Sequence, residues 1–223
     1  MRQIDILLTG DLSGGQESFS HGDLRVVFHH WQWSAPLPLL DGRPWAFVDW
    51  VLPELSGLEL CRRLRCDPQT EQAHVTMILE EDEPDIKRRA LRAGADDYIV
   101  GPIDRGSVLD RVLSVQLTDH EIPGRTLRLG DLSLDLAALQ ARWKDKPVAL
   151  MPNEFRLLRY LMEQPGHVFS RAQLIAALGK QEQPIDERTV DAWFSRLRRA
   201  LRETGAGYPL RTVRSLGYVL DKP

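Results

Sequence analysis

The sequence predicts two domains of different class: a doubly wound α/β domain with a parallel five-stranded sheet, followed by a smaller α+β domain. In the first half, short apolar runs alternate with helical patterns, which is typical of a parallel sheet covered on both faces. The second half combines short alternating strands, three amphipathic helices and a closing hairpin. The charge also changes, because residues 1–118 hold 12 Lys+Arg and 19 Asp+Glu (−7), whereas residues 119–223 hold 17 and 13 (+4).

The five strands of the first domain are predicted from apolar runs at residues 4–8, 24–31, 45–50, 75–79 and 97–100. Helical spacing predicts helices over residues 58–66, 85–94 and 107–117. The two remaining crossovers, residues 10–23 and 32–42, are rich in glycine or proline. Because both residues weaken helices, the first crossover helix should be short, distorted or absent, and the second segment should form a helix poorly.

A polar segment with Pro-Gly inside it separates the halves and predicts a linker at residues 119–124, between domains 1–118 and 125–223. After the linker come short antiparallel strands with turns at residues 130–131 and 144–145. Three helices are then predicted over residues 151–166, 170–179 and 186–205, and a hairpin over residues 208–220.

Composition excludes several classes of protein. No run approaches the ~20 apolar residues that span a bilayer, and the N-terminus lacks the pattern of a signal peptide. We therefore expect a cytoplasmic protein without a membrane partner. Cys61 and Cys66 are five residues apart in a helical pattern, so they lie on different faces and are expected to be packing or surface residues.

The last predicted helix has the composition of a DNA-reading helix. Four apolar residues form one stripe that faces the core: Val190, Phe194, Leu197 and Leu201. The opposite face mixes arginines with small residues, which leaves room for base edges in a major groove. This face holds Arg188, Ala192, Ser195, Arg196 and Arg199, flanked by Arg198 and Arg202. Two preceding helices and a hairpin with Arg211 and Arg214 complete a pattern that indicates binding to double-stranded DNA.

SRAQLIAALG, DERTVDAWFSRLRRAL and RTVRSLGYVL resemble the winged helix-turn-helix effector domain of OmpR/PhoB-type response regulators. The resemblance implies that the helix matching residues 188–202 reads the major groove and that the hairpin, or wing, brings an arginine near the minor groove. Ser195 stands where some family members carry arginine, so a known operator is not carried over. The loop GKQEQP (179–184) corresponds to the loop that contacts RNA polymerase. The DNA-binding residues implied are Arg171, Arg188, Thr189, Ala192, Ser195, Arg196, Arg198, Arg199 and Arg214.

VDWVLPELSG (48–57) and GADDYIVGP (94–102) resemble the receiver domain of the same family. The resemblance implies that Asp49 is the phosphoacceptor and that a histidine kinase is the partner that supplies the phosphoryl group. It also implies an acidic pair that holds Mg²⁺ with Asp49, a hydroxyl, a lysine and a switch aromatic. The corresponding residues are Gly10 and Asp11 for the acidic pair, Glu80 for the hydroxyl, Gly101 for the lysine and Tyr98 for the aromatic.

This pocket loses one acid, the hydroxyl and the lysine, so a phosphoryl group on Asp49 would lie among negative charges without its cation. We predict an atypical receiver in which Asp49 is phosphorylated poorly or not at all and no cofactor is required. The segment GADDYIV matches the family's dimer face, which implies a phosphorylation-independent homodimer. The dimer-face residues implied are Lys87, Arg88, Asp96, Asp97 and Arg111.

Three alternatives remain open. The protein could be a conventional switch activated at Asp49, or a receiver that senses a small ligand or protein through the aromatic residues Trp31, Trp33, Trp45 and Trp50. An enzyme that uses Asp49 as a nucleophile would need a second acid nearby, which DWVL does not supply. His29 and His30 are adjacent on a strand and point to opposite faces, so they are expected not to chelate a metal. A transcription regulator, not an enzyme, is the preferred interpretation.

Overall fold

The computed structural model describes residues 2–10, 12, 18–21, 24–40, 44–117, 126–136, 138–178, 185, 187–207 and 210–222. The chain divides into two compact units, residues 1–110 and 111–223. Three predicted features lie outside the described residues: Asp11, the linker at 119–124 and the loop at 179–184. None of the helices in the described ranges combines the length and apolarity that crossing a membrane requires.

The N-terminal unit is built on one sheet. Its strands are β1 (Arg2–Leu8), β2 (Ser18–His21), β3 (Leu24–His30), β4 (Trp45–Asp49), β5 (His74–Leu79) and β6 (Asp97–Val100). The strand order is β2-β3-β1-β4-β5-β6, and every pairing except β2 with β3 is parallel. The carboxyl ends of β1, β3 and β4 therefore meet at one edge, where ligands bind in sheets of this kind.

Three helices accompany this sheet: α1 (Gly57–Cys66), α2 (Pro84–Arg92) and α3 (Arg105–Leu117). The N-cap of α1 is Ser56, whose hydroxyl accepts the Glu59 N–H at 3.3 Å. Leucines of α1 and Ala90 of α2 pack with β-strand residues such as Val48 and Met77 in one apolar cluster. On β4 the alternate residues Trp45 and Phe47 are also buried, and they point to the opposite face of the sheet.

The five predicted parallel strands are confirmed as β1, β3, β4, β5 and β6, and the sheet contains one further strand that was not predicted. Residues 18–21 form the extra strand β2, which pairs antiparallel with β3 (Ser18 with Val27, His21 with Leu24). Within the described ranges, no helix occurs between β1 and β4. This agrees with the expectation from the glycines and prolines of the two crossovers, which disfavour helix but permit a short edge strand.

The C-terminal unit begins with a four-stranded antiparallel sheet, ordered β10-β9-β8-β7. Its strands are β7 (Thr126–Leu129), β8 (Leu132–Asp135), β9 (Gln140–Trp143) and β10 (Lys146–Val148). Then follow α4 (Pro152–Glu163), α5 (Arg171–Ala177), α6 (Glu187–Glu203) and the hairpin β11 (Leu210–Val213) and β12 (Gly217–Leu220). Helices α4, α5 and α6 and the hairpin surround one apolar core.

The predicted stripe of α6 is confirmed, because Val190, Phe194, Leu197 and Leu201 are all buried. Phe194 stacks on the ring of Tyr218 in β12, with ring centroids 3.7 Å apart. An isolated bridge between Phe169 and Tyr218 ties the hairpin to the segment that precedes α5. The core therefore fixes α5, α6 and the hairpin as one body, with one face of α6 left at the surface.

Candidate phosphoacceptor pocket and nucleic-acid interface

Asp49 is the last residue of β4, and a tight turn follows it. The Trp50 N–H donates to the Ile78 carbonyl at 2.9 Å, and the Gly57 N–H donates to the Trp50 carbonyl at 3.0 Å. A Cβ at position 57 would lie 2.0 Å from the Asp49 carbonyl oxygen, so this close approach of backbone requires glycine. The turn thereby holds the half-buried Asp49 carboxylate at the carboxyl edge of the sheet.

Thr9, which follows β1, makes two hydrogen bonds to Asp49. Its hydroxyl donates to Asp49 Oδ2 at 2.6 Å and accepts the Asp49 backbone N–H at 2.9 Å. A hydroxyl bonded to a carboxylate is a short, charge-assisted interaction that disperses charge from the accepting oxygen. Within the described part of the chain, no lysine or arginine forms an ion pair with Asp49.

Gly10 lies against the same carboxylate. A Cβ at position 10 would be 2.7 Å from Asp49 Oδ2, so any larger residue would require the Asp49 carboxylate to shift. Mg²⁺ prefers several oxygen ligands in octahedral geometry. Gly10 supplies no side-chain oxygen, and the described residues contain no group of three or more His, Cys, Asp or Glu side chains that could hold a metal ion.

The other receiver positions lie where the resemblance implies. Glu80 follows β5 and is exposed, and Gly101 follows β6, where its N–H donates to the Leu79 carbonyl at 2.8 Å. Tyr98 is half-buried, and the Lys87 ammonium lies 5.4 Å from the centroid of its ring. An acid and a glycine thus occupy the places of the hydroxyl and the lysine, and neither provides a cation for a phosphoryl group.

Of the residues predicted for a dimer face, Asp96 is not available at the surface. It is 1 % exposed, and its Oδ2 accepts bonds from Arg65 at 2.6 Å and from the Val75 N–H at 3.0 Å. Arg65 also donates to the Gly94 and Ala73 carbonyls, both at 2.7 Å. The predicted partner contact of Asp96 is therefore wrong, because this ion pair joins the end of α1 to the loop before β6.

The remaining residues predicted for the dimer face differ in their burial and in their contacts within the chain. Lys87 pairs with Asp82, which raises the pKa of the lysine, and Arg88 pairs with Asp85. Asp97 is 3 % exposed, and Arg111 is half-buried. The structure places these groups on α2, β6 and α3, and the dimer itself stays a prediction.

The solvent-facing side of α6 is narrower than the sequence pattern predicts. Arg188, Ala192 and Ser195 are exposed and Arg199 is half-exposed. Thr189 is 5 % exposed, so its predicted contact with a DNA backbone is wrong as far as the side chain is concerned. Thr189 lies one turn from Trp193 on the flank that packs into the core, which widens the buried sector of the helix.

Arg196 is the clearest departure from prediction. It is 8 % exposed, and its Nε donates to Oε1 of the fully buried Glu154 at 2.7 Å. Glu154 Oε2 also accepts the Met151 N–H at 2.7 Å and so caps the start of α4. The predicted role of Arg196 as a reader of bases or backbone is therefore wrong, because the side chain neutralises a buried carboxylate in the core.

Arg171, Asp191 and Tyr218 form one network beside α6. Asp191 Oδ1 accepts the Arg171 Nε–H at 2.7 Å and the Tyr218 hydroxyl at 2.5 Å. The bond to Asp191 raises the pKa of Arg171 further, so its charge is permanent. Burial and the bond to Asp191 raise the pKa of Tyr218 to about 12. Arg171 is thus held at the N-terminus of α5, at the place from which the resemblance implies a phosphate contact.

Arg198 is half-buried and connects α6 to the hairpin. Its Nε donates to the Leu210 carbonyl at 3.1 Å and its Nη2 donates to the Thr212 hydroxyl at 2.7 Å. Its guanidinium carbon lies 5.4 Å from the centroid of the Tyr218 ring. These contacts give Arg198 a positioning role, because they fix the hairpin against the helix.

The tip of the hairpin carries Arg214, which is exposed in the turn between β11 and β12. Ser215 adopts φ 63°, and Gly217 adopts φ 144°. A Cβ on Gly217 would lie 1.9 Å from the Phe169 carbonyl oxygen, so the strand can approach this backbone only with glycine. The turn predicted near residues 215–217 is confirmed, and it presents Arg214 to solvent.

Sequence reasoning missed four residues that build these sites: Thr9, Glu154, Asp191 and Tyr218. Glu154 lies three residues after Met151, the N-cap of α4, and no local sequence pattern relates it to the distant Arg196. Thr9 directly precedes the degenerate acidic pair, and only strand pairing brings it to Asp49. The partners of Asp191 lie 20 and 27 residues away in sequence, beyond the reach of any local pattern.

Comparison with known proteins relates each of the two units to a known domain family. Residues 45–113 match the response regulator receiver domain, and residues 145–220 match the C-terminal domain of transcriptional regulatory proteins. The phosphate regulon transcriptional regulatory protein PhoB of Rhizobium meliloti is 41% identical over 175 residues, which cover 78% of this chain and 77% of that protein. The transcriptional regulatory protein CreB of Escherichia coli is 35% identical over 177 residues (78% of this chain, 76% of that protein).

Among solved structures, the response regulator DrrB of Thermotoga maritima, an OmpR/PhoB homologue, shares 22% identity and aligns over 99% of both chains with a TM-score of 0.39. The receiver match begins at Trp45. Thr9 and Gly10, which determine the surroundings of Asp49, therefore lie in the part of the unit outside the family match.

Proposed function

Because the chain belongs to the OmpR/PhoB family of response regulators, we propose that it regulates transcription as a dimer that binds double-stranded DNA without phosphorylation of Asp49. Regulators of this family are DNA-binding proteins of two-component systems, for which a histidine kinase is the implied partner. For this chain we propose in addition that DNA binding does not require phosphorylation by a kinase.

The observation that carries the proposal is the bond between Thr9 and Asp49. One of the two Asp49 carboxylate oxygens, Oδ2, accepts the Thr9 hydroxyl at 2.6 Å, which disperses its negative charge and makes it a weaker nucleophile. Gly101 supplies no cation to stabilise the charge that develops on a phosphoryl group. Losing one positioned donor to a developing charge costs about 3–4 kcal/mol of transition-state stabilisation, or a factor of 10²–10³ in rate. We therefore expect Asp49 to remain unmodified.

The surface proposed for DNA joins α6 to the tip of the hairpin. Arg188 and Arg199 flank the small side chains of Ala192 and Ser195, and Arg214 extends from the hairpin turn. A helix with this composition fits a major groove, while an arginine on an adjoining hairpin suits the negative potential of a minor groove. Arg171 adds a fixed positive charge for a phosphate at the start of α5.

The dimer is proposed to form through α2, β6 and α3. Strand β6 lies at the end of the sheet order, and Val100 on it is 38 % exposed. Arg88 on α2 is exposed in the same unit. Sedimentation equilibrium of the full chain should give a dimer, and an Arg88→Glu/Val100→Asp variant should sediment as a monomer. A wild-type monomer at DNA-binding concentrations would contradict this part of the proposal.

The test of phosphorylation uses purified full-length protein with Mg²⁺ and acetyl phosphate, measured by intact mass. We expect no phosphoryl adduct on the wild type, whereas a conventional receiver treated in parallel should gain one. A Thr9→Val/Gly101→Lys variant releases the carboxylate oxygen and restores the cation, so it should be modified more readily; Asp49→Asn in that background is the control.

The same samples should be titrated with DNA selected from a random library by the wild-type protein. We expect equal affinity before and after treatment with acetyl phosphate, and equal affinity for Asp49→Asn. A stable adduct on wild-type Asp49 together with tighter DNA binding would show that the protein is a conventional phosphorylation switch.

A further inference from the structure

The N-terminal unit contains a cavity of about 350 Å³ at the carboxyl edge of its sheet. Thr9 after β1, residues 31–34 after β3, and residues 52–54 after β4 contribute to its walls. The chain passes from β1 to one neighbouring strand and later crosses to the other, which makes this edge the switch point of the sheet. Ligands of open α/β sheets bind at such points, and the volume lies in the range of small-molecule sites.

Residues 31–34, which line the cavity, belong to a segment, 31–40, that forms no helix, and contacts with neighbouring residues hold their side chains. Trp31 is 8 % exposed, and its indole Nε1 donates to the Ala35 carbonyl at 3.1 Å. Its backbone N–H donates to the Leu8 carbonyl at 2.8 Å. The guanidinium carbon of Arg63 lies 4.9 Å from the centroid of the Trp33 ring. Both indoles are thus held in place before any ligand enters.

The chemistry of the lining favours one class of ligand. Two indoles, two leucines and a proline give flat apolar walls, and Thr9, Gln32 and Ser34 offer hydrogen bonds. Among the described residues that line the cavity, Glu54 is the one carboxylate, His30 is the other titratable side chain, and no lysine or arginine is present to hold an anion. Aromatic rings and a carboxylate together suit an organic cation.

We propose that this cavity is a binding site for an alkylammonium ligand that carries a planar aromatic ring. Its ring lies between the indole and leucine walls, and its ammonium group interacts with the Glu54 carboxylate. Thr9 lines the cavity and also bonds Asp49, so the ligand contacts the group that holds the phosphoacceptor carboxylate. The site goes beyond the proposed function and does not depend on it, since occupancy of the cavity requires neither phosphorylation nor DNA.

The test uses tryptamine as the probe and indole-3-acetate as the same ring with opposite charge. The readout is the indole N–H signals of the six tryptophans in the ¹⁵N-labelled full chain, assigned by single Trp→Phe variants. Tryptamine should shift the Trp31 and Trp33 signals saturably and leave those of Trp143 and Trp193 unchanged. Indole-3-acetate should bind about tenfold more weakly. Its carboxylate lacks the attraction of an ammonium group to Glu54 and is instead repelled by the Glu54 carboxylate.

Three variants make the test more specific. Leu52→Phe fills the cavity and should abolish the shifts, whereas Val51→Phe, at a neighbouring residue that is 62 % exposed and not part of the lining, should preserve them. Glu54→Gln should remove most of the preference for tryptamine over indole-3-acetate. Non-saturable shifts, equal binding of both probes, or shifts that survive Leu52→Phe would each overturn the proposal.

None of these outcomes bears on the phosphorylation state of Asp49, which the intact-mass experiment measures separately. A protein that binds tryptamine and also accepts phosphate would support this site and contradict the proposed function. A protein that neither binds tryptamine nor accepts phosphate would contradict this site and support the proposed function.

Discussion

Arg196→Met should destabilise the C-terminal unit and leave the DNA contacts of the folded protein unchanged. Arg196 Nε donates to Glu154 at 2.7 Å, and the Glu154 side chain has no exposed surface. Methionine keeps much of the apolar stem of the arginine but removes the charge. The variant therefore leaves a buried carboxylate with its Met151 N–H bond and without a counter-ion.

The expected loss is about 3–5 kcal/mol in the free energy of unfolding, the usual cost of removing one partner of a buried ion pair. The matched control is the double variant Arg196→Met/Glu154→Gln. The glutamine oxygen still accepts the Met151 N–H, and no unpaired charge remains. The double variant should therefore cost about 1–2 kcal/mol, which corresponds to the lost hydrogen bond.

Hydrogen exchange of the amides in α4 and α6 measures this stability locally in the full chain, and fluorescence anisotropy measures DNA affinity at a temperature where each variant is folded. We expect exchange to accelerate strongly in Arg196→Met and affinity to change less than about threefold. A tenfold or larger loss of DNA affinity without faster hydrogen exchange would refute the reasoning. It would show that Arg196 contacts DNA.

Three further outcomes follow from single residues. Gly217→Ala should cost at least about 1–3 kcal/mol in unfolding free energy, because its Cβ would lie 1.9 Å from the Phe169 carbonyl oxygen; thermal denaturation measures it. The pKa of Tyr218 is raised from 10.0 to about 12 in the folded protein, so its protonated hydroxyl contributes to the free energy of unfolding. This contribution should be complete below pH 10 and should disappear as the pH rises through about 12. Tyr218→Phe should remove this part of the pH dependence in denaturation scans. Arg214→Ala should weaken DNA binding and reduce the slope of log K against log salt by about 0.9, whereas Arg211→Ala, which breaks an exposed bond to Asp221 in the same hairpin, should change that slope less.

Several features of this protein follow from the sequence alone because they depend on local order. Alternating apolar runs placed the parallel strands and helices to within a few residues, and the stripe from Val190 to Leu201 identified the buried side of α6. Glycines and prolines in the two early crossovers predicted the loss of regular helix there. Gly101 before Pro102 identified the missing lysine, since the motif fixes its register.

Tertiary structure decided which polar side chains face solvent. Arg196 and Arg199 are three residues apart on the same helix with the same chemistry, yet one is buried because Glu154, 42 residues earlier in the chain, needs a counter-ion in the core. Asp96 is likewise paired with Arg65, and Asp49 with Thr9, through contacts that span 31 and 40 residues. Local periodicity reports the direction of a side chain, whereas its partner and its exposure depend on segments that only the packed fold brings together.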